Sequence, residues 1–126
     1  MIRRFDHSLA GLALLALVAA FTVELFAHLA VARTMPAHES TVTDAPARVQ
    51  IWFTQQPSPR VSLLEMKGPR GDVPLGEIEI SREERAVAAA VNGALAPGRY
   101  VVSWRTAGDD GHVMRGTFTF SLKTTE

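Results

Sequence analysis

Apolar and polar positions along the chain fall into two regimes that meet at Ala27-His28. Ahead of the junction, Leu9 to Val23 is almost wholly apolar, with Gly11 and Thr22 its softest members, and Arg3 and Arg4 stand before it. A basic start, an apolar run of about 15 residues and a small residue at the end make an export signal, and the run falls short of the roughly 20 residues of a membrane span. Ala27 supplies the small residue, so the pattern predicts a signal peptide over 1–27 and a mature domain over 28–126. Leu25 is bulkier than usual for its place and Glu24 is an odd neighbour. The alternative is an uncleaved signal anchor, which would leave no free amine at His28.

After the junction the period changes to two. Residues 29–33 form a weak first strand candidate, and Thr34 to Thr43, polar and carrying Pro36, reads as a loop. Val49, Ile51 and Phe53 alternate with Arg48, Gln50 and Thr54, which predicts a half-buried strand with Trp52 on its wetter face. Pro57 and Pro59 make 55–60 a loop. Val61 to Met66 is a further strand, 67–72 a turn, and Leu75 to Ile80 a short extended stretch. Glu83 to Val91 has helical propensity, yet Val87, Ala89 and Val91 alternate, and strands on both sides favour a strand preceded by a turn. Ser81 and Glu84 have capping-box spacing for a single helical turn there. Tyr100, Val102 and Trp104 share a core face; Ala107 to His112 is a polar loop; Phe118, Phe120 and Leu122 mark the clearest strand, 117–122. Many short strands between Gly/Pro turns predict one all-β domain, a sandwich or barrel.

Charge and composition narrow the function. Of 13 basic and 13 acidic residues, two of each precede His28, so the mature domain is formally neutral. That argues against nucleic acid as a partner, which calls for a basic footprint, and gives no reason for binding anionic lipid. There is no cysteine, so an exported domain must hold together by its core, and any metal site must use His, carboxylate, Met or backbone nitrogen. Nothing points to a large exposed apolar face, and a monomer is expected.

Three histidines lie beyond the junction: His28, His38 and His112. In extended backbone Asp110 and His112 project to the same side, with Gly111 letting the chain bend close. As a bare triplet this is equally a surface loop. A free N-terminal His28 changes the balance, because an α-amine with a pKa of about 7.7–8.0 loses its proton to a metal near neutral pH. Amine and ring Nδ1 can then chelate one ion. With the His112 imidazole and the Asp110 carboxylate the set is three nitrogens and one oxygen, which suits tetragonal Cu(II) better than tetrahedral zinc.

The sequence resembles the CopC-type periplasmic copper-binding domains over essentially all of 28–122. The likeness runs from His28 through Pro36-Ala37-His38-Glu39 and Ala45-Pro46-Ala47-Arg48-Val49-Gln50-Ile51-Trp52-Phe53. It is strongest over Leu95-Ala96-Pro97-Gly98-Arg99-Tyr100-Val101-Val102-Ser103-Trp104, and closes with Asp110-Gly111-His112 and Gly116-Thr117-Phe118-Thr119-Phe120. The resemblance implies a seven-stranded Greek-key β-sandwich (Ig-like or cupredoxin-like) in the periplasm. It implies Cu(II) held by His28, through amine and imidazole, with Asp110 and His112. Copper buffering, resistance or delivery to a membrane copper transporter would follow. The chain departs from the family pattern at Gly108-Asp109, where Ser-Ala is common, at Val113, where Pro is common, and at His38-Glu39, where Asp-Gly is usual. Asp109 is expected to be solvated, and His38 is a weaker candidate for a fifth ligand or for guiding the ion in. Met35, Met66 and Met114 are too scattered for a thioether Cu(I) site.

Two other classes compete. A histidine-brace copper oxidase shares the N-terminal histidine, but the anionic Asp110 favours Cu(II) over Cu(I), and no flat aromatic substrate platform is evident; no enzyme activity is expected. A metal-free sandwich that binds a protein through an edge or face is the third reading.

Overall fold

The computed structural model describes residues 28–124. The predicted signal peptide, 1–27, lies outside the described residues. The described chain contains nine strands and no helix. They are β1 (Val31–Met35), β2 (Ser40–Val42), β3 (Arg48–Phe53), β4 (Leu63–Gly68), β5 (Gly71–Val73), β6 (Glu79–Ser81), β7 (Ala86–Ala90), β8 (Gly98–Ala107) and β9 (Val113–Leu122). Two sheets form, one of four strands in the order β1-β3-β7-β6 and one of five in the order β2-β9-β8-β4-β5. The chain crosses between them repeatedly, as in a Greek-key sandwich. The expected count of seven strands is therefore corrected to nine, and the additions are short. Three-residue strands such as β2, β5 and β6 lie at sheet edges, where short strands limit pairing with other chains.

The inner faces follow the alternation in the sequence. Val49, Ile51 and Phe53 from β3 and Val87 and Ala89 from β7 meet Leu64 and Met66, Tyr100 and Val102, and Phe118, Phe120 and Leu122 from the other sheet. Tyr100 stacks on its register partner Phe120, with ring centroids 5.2 Å apart. Its hydroxyl donates to the Ala96 carbonyl at 2.5 Å, which satisfies the one polar atom of a ring that is otherwise core. Trp104, expected in the core, is only partly buried and packs edge-on against Phe53.

Several boundaries move. The first strand begins at Val31 and runs to Met35, and the 34–43 loop yields β2, which pairs in parallel with β9. Only Glu79–Ser81 of the 75–80 stretch is a strand, while Leu75 makes an isolated bridge to Val91. The 83–91 segment resolves as a turn and then β7, with the Glu84 N–H donating to the Ser81 hydroxyl at 3.2 Å. Gln50 is buried although it lies on the outer face. It sits on a central strand beside Ala88 of β7. Nearby, the Arg48–Glu79 pair reaches over this alanine floor at 2.8 Å, and Arg33 stacks 3.8 Å above the Trp52 ring.

Candidate metal centre

The site lies at the end of the sandwich where β8 turns into β9. Buried polar groups must be paired, and the pairs made here fix the neighbouring loop. The buried Thr106 hydroxyl shares a 2.7 Å hydrogen bond with Ser62, whose hydroxyl also contacts the Ser58 carbonyl at 2.6 Å. The Ser58 N–H donates to the Ala107 carbonyl at 2.9 Å. The loop between β3 and β4 is thereby fastened to the end of β8, and its Gln55 Oε1 accepts the Asp109 N–H at 3.1 Å. Gln55 carries no sequence signal that separates it from any solvated loop residue, and sequence reasoning missed it.

The segment before β1 is held from the other side. Leu29 is 3% exposed and belongs to the core cluster. The Ala30 N–H donates to the Thr54 hydroxyl at 2.9 Å, and the Thr54 N–H returns to the Ala30 carbonyl at 2.9 Å. A bulge between Val31 and Arg33 shifts the β1–β3 register, a common device for re-aiming a chain beside a site. With Leu29 turned inward, the adjacent His28 is left on the surface beside the 108–112 loop, 66% exposed at its side chain.

Asp110 and His112 converge through a turn rather than by strand alternation. The Gly111 N–H donates to the Gly108 carbonyl at 3.1 Å, and Gly111 takes φ +76°, a conformation that favours glycine. The His112 N–H donates to Asp110 Oδ1 at 3.1 Å, closing an Asx-type turn. Asp110 Oδ2 then lies 3.1 Å from His112 Nδ1 and 3.4 Å from His28 Nδ1. The two imidazoles stack at 6.3 Å between centroids, 27° from parallel. One donor atom from each of His28, Asp110 and His112 falls within 4.8 Å of the others. Ligands 2.0–2.2 Å from a common ion lie at most about 4.4 Å apart, so a small inward movement would close the shell.

The first cause of the low Asp110 pKa is the hydrogen bond from the His112 backbone N–H; partial desolvation opposes it, and the His112 and His28 rings add to it. The carboxylate is thus charged and ready for a cation throughout the neutral range. Since its folded pKa is depressed, the linked stability is present above the ordinary carboxylate range and is lost as pH falls through the lowered value. In metal-free protein the Asp110 carboxyl carbon should titrate below the usual value of about 3.9. The His112→Ala variant should keep most of that shift, because its backbone N–H remains. A titration at the ordinary value in both proteins would contradict this geometry.

The other sequence candidates stand apart. His38 is not part of the cluster: its Nδ1 accepts the Thr119 N–H at 3.1 Å, so the ring stands in for a backbone acceptor just ahead of β2. Asp109 has an exposed side chain and engages Gln55 through its backbone.

Gly108 decides how closely these parts approach. A Cβ there would fall 2.4 Å from Gln55 Oε1 and 3.0 Å from Leu29 Cβ. Gly108→Ala should displace the loop and weaken metal binding about tenfold, at the low end of what ligand-positioning partners contribute. Isothermal titration against the wild type checks this, and an unchanged Kd would show that the loop tolerates the displacement.

Fold and site together define a two-sheet β-sandwich that gathers an aspartate and two histidines at one end. The CopC domain family matches residues 31–123, and the chain belongs to that family. Protein YobA of Escherichia coli (strain K12) is 29% identical over 106 residues, covering 81% of this chain and 84% of its own. Copper resistance protein C of Xanthomonas campestris pv. juglandis is 28% identical over 105 residues, covering 78% of this chain and 82% of its own. Among solved structures, CopC from Methylosinus trichosporium OB3b superposes with a TM-score of 0.69 at 24% identity, over 79% of this chain and 97% of that one. PcoC, a methionine-rich copper resistance protein from Escherichia coli, gives 0.65 at 24% identity, over 77% and 100%. At such identities the superpositions speak for the fold.

Proposed function

We propose that the exported, processed protein binds one Cu(II) ion through His28, by amine and imidazole, together with Asp110 and His112. The observation that carries this reading is the convergence of the three side chains on one surface point, held there by Leu29, Gln55 and the Gly108–Gly111 turn. Membership of the CopC domain family and the likeness to a copper resistance protein supply the choice of metal. The donor set agrees with it, since three nitrogens and a carboxylate suit a tetragonal divalent ion, and copper heads the divalent affinity series.

The role is holding and passing on copper in the periplasm, as buffering, resistance or delivery to a membrane copper transporter. Turnover is not part of it. An anionic fourth ligand stabilises Cu(II) over Cu(I) and works against the redox cycling an oxidase needs. Cu(II) titration of the processed protein, followed by electron paramagnetic resonance, tests the proposal. One equivalent should bind with a nitrogen-rich tetragonal signal. A spectrum of aqueous copper at equimolar protein would refute the assignment.

A further inference from the structure

Beyond the metal centre, the outer face of the five-stranded sheet holds an arrangement the copper reading does not use. Arg105 of β8 and Arg115 of β9 are register partners, and so are Ser103 and Thr117 beside them. Leu63 and Glu65 of β4 lie opposite Arg105 and Ser103. These six residues line one open cleft of about 500 Å³. Like charges directly opposite on neighbouring strands repel, so the arginine pair works against the sheet that carries it. Arg105, which lines the cleft, donates its Nε–H to the Val61 carbonyl at 3.2 Å, a bond that does not use its terminal N–H groups. Among the described residues neither arginine forms an ion pair, although Glu65 lines the same cleft.

Two guanidinium groups flanked by two hydroxyls match a carboxylate ligand, which an arginine fork can grip with two parallel hydrogen bonds. The cleft is shallow and bordered by apolar surface. Leu63 is 38% exposed, and Val113, two residues along β9 from Arg115 on the same face, is 49% exposed. A small anion would leave both uncovered, whereas an extended chain segment would cover them. We propose that this cleft docks an acidic segment of a partner protein, gripping its carboxylates with Arg105 and Arg115. The strip ends beside His112, three residues before Arg115 and about 10 Å away along a strand. A partner bound there would sit next to the metal centre. The cleft needs no metal, so its failure would leave the copper assignment untouched.

The test uses metal-free, ¹⁵N-labelled exported protein and a hexaglutamate peptide, with hexalysine and inorganic phosphate as comparisons. Hexaglutamate should give saturable amide shifts at Ser103, Arg105, Arg115 and Thr117, and hexalysine none. The Arg105→Gln/Arg115→Gln double variant, with unchanged Val102 and Phe118 signals, should bind about tenfold or more weakly, since charge-assisted bonds are the strong ones. Glu65→Gln, which removes a repelling carboxylate, should bind several-fold more tightly. Absence of saturable shifts, equal binding by the double variant, weaker binding by Glu65→Gln, or the same shifts from phosphate at equal concentration would overturn the proposal.

Discussion

Replacing His112 by alanine should lower the Cu(II) affinity of the processed protein by more than about a hundredfold, because even the partners that merely orient metal ligands contribute about 10–100-fold. His112 supplies an exposed imidazole whose Nδ1 already lies 3.1 Å from the Asp110 carboxylate. Among the described residues no other histidine joins the cluster, His38 lying elsewhere with its Nδ1 accepting the Thr119 N–H. The fold should survive, because the ring packs on little besides His28 and Asp110 and its backbone hydrogen bond remains. His28→Ala should cost less, because it removes the imidazole but keeps the amine. Competition titrations against a copper chelator rank the three proteins. Equal affinities in wild type and both variants would remove these histidines from the site.

Phe120→Ala should damage the core severely, costing about 3–5 kcal/mol. Phe120 is 1% exposed, in the middle of β9, and its ring lies almost parallel to Tyr100, at 12°. Truncation opens a void between the sheets and removes the partner of a tyrosine whose hydroxyl is already committed to Ala96. For a domain of this size the loss is a large part of a typical 5–15 kcal/mol, and Tm should fall by more than about 10 °C. Ser121→Ala, one residue on and facing outward, should change stability by no more than about 0.5 kcal/mol. Thermal unfolding of the two variants side by side checks the inward and outward assignment of the strand. A comparable drop in both would contradict it.

The fold is legible in the sequence wherever one face of a strand is buried and the other wet. Phe118-Phe120-Leu122 alternates visibly because the other face of β9 is wetter, and Val49-Ile51-Phe53 because polar Arg48 and Gln50 lie on its outer face, although Gln50 is covered. The signal fades where that contrast fades. Val113, Met114 and Arg115 extend β9 beyond the core, where all three are exposed, so no alternation marks them. Ser40–Val42 is a strand only because it lies along the edge of β9, a long-range contact that three small residues cannot announce. Ala86–Ala90 is ambiguous in sequence because its outward Ala86 and Ala88 are as buried as its inward Val87 and Ala89, beside longer side chains from β3 and β6.

At the site, residue chemistry is visible in the sequence and its support is not. His28, Asp110 and His112 are the residue types a copper ion selects, and the family resemblance supplies their order. The glycine of the triplet is legible as a bend, although the convergence rests on a turn and an Asx-type hydrogen bond rather than on extended backbone. Gln55, Thr54 and Leu29 act through distance in space: Gln55 is 54 residues from the Asp109 N–H it accepts. Local pattern holds no trace of such a contact.

Native mass spectrometry of the exported protein, loaded with one equivalent of Cu(II) and desalted, tests the central claim most directly. The expected species is a chain beginning at His28 that retains one copper ion, and the same chain extended by Ala27 should retain much less. A mature chain beginning elsewhere that holds copper equally well, or a chain beginning at His28 that holds none, would contradict it.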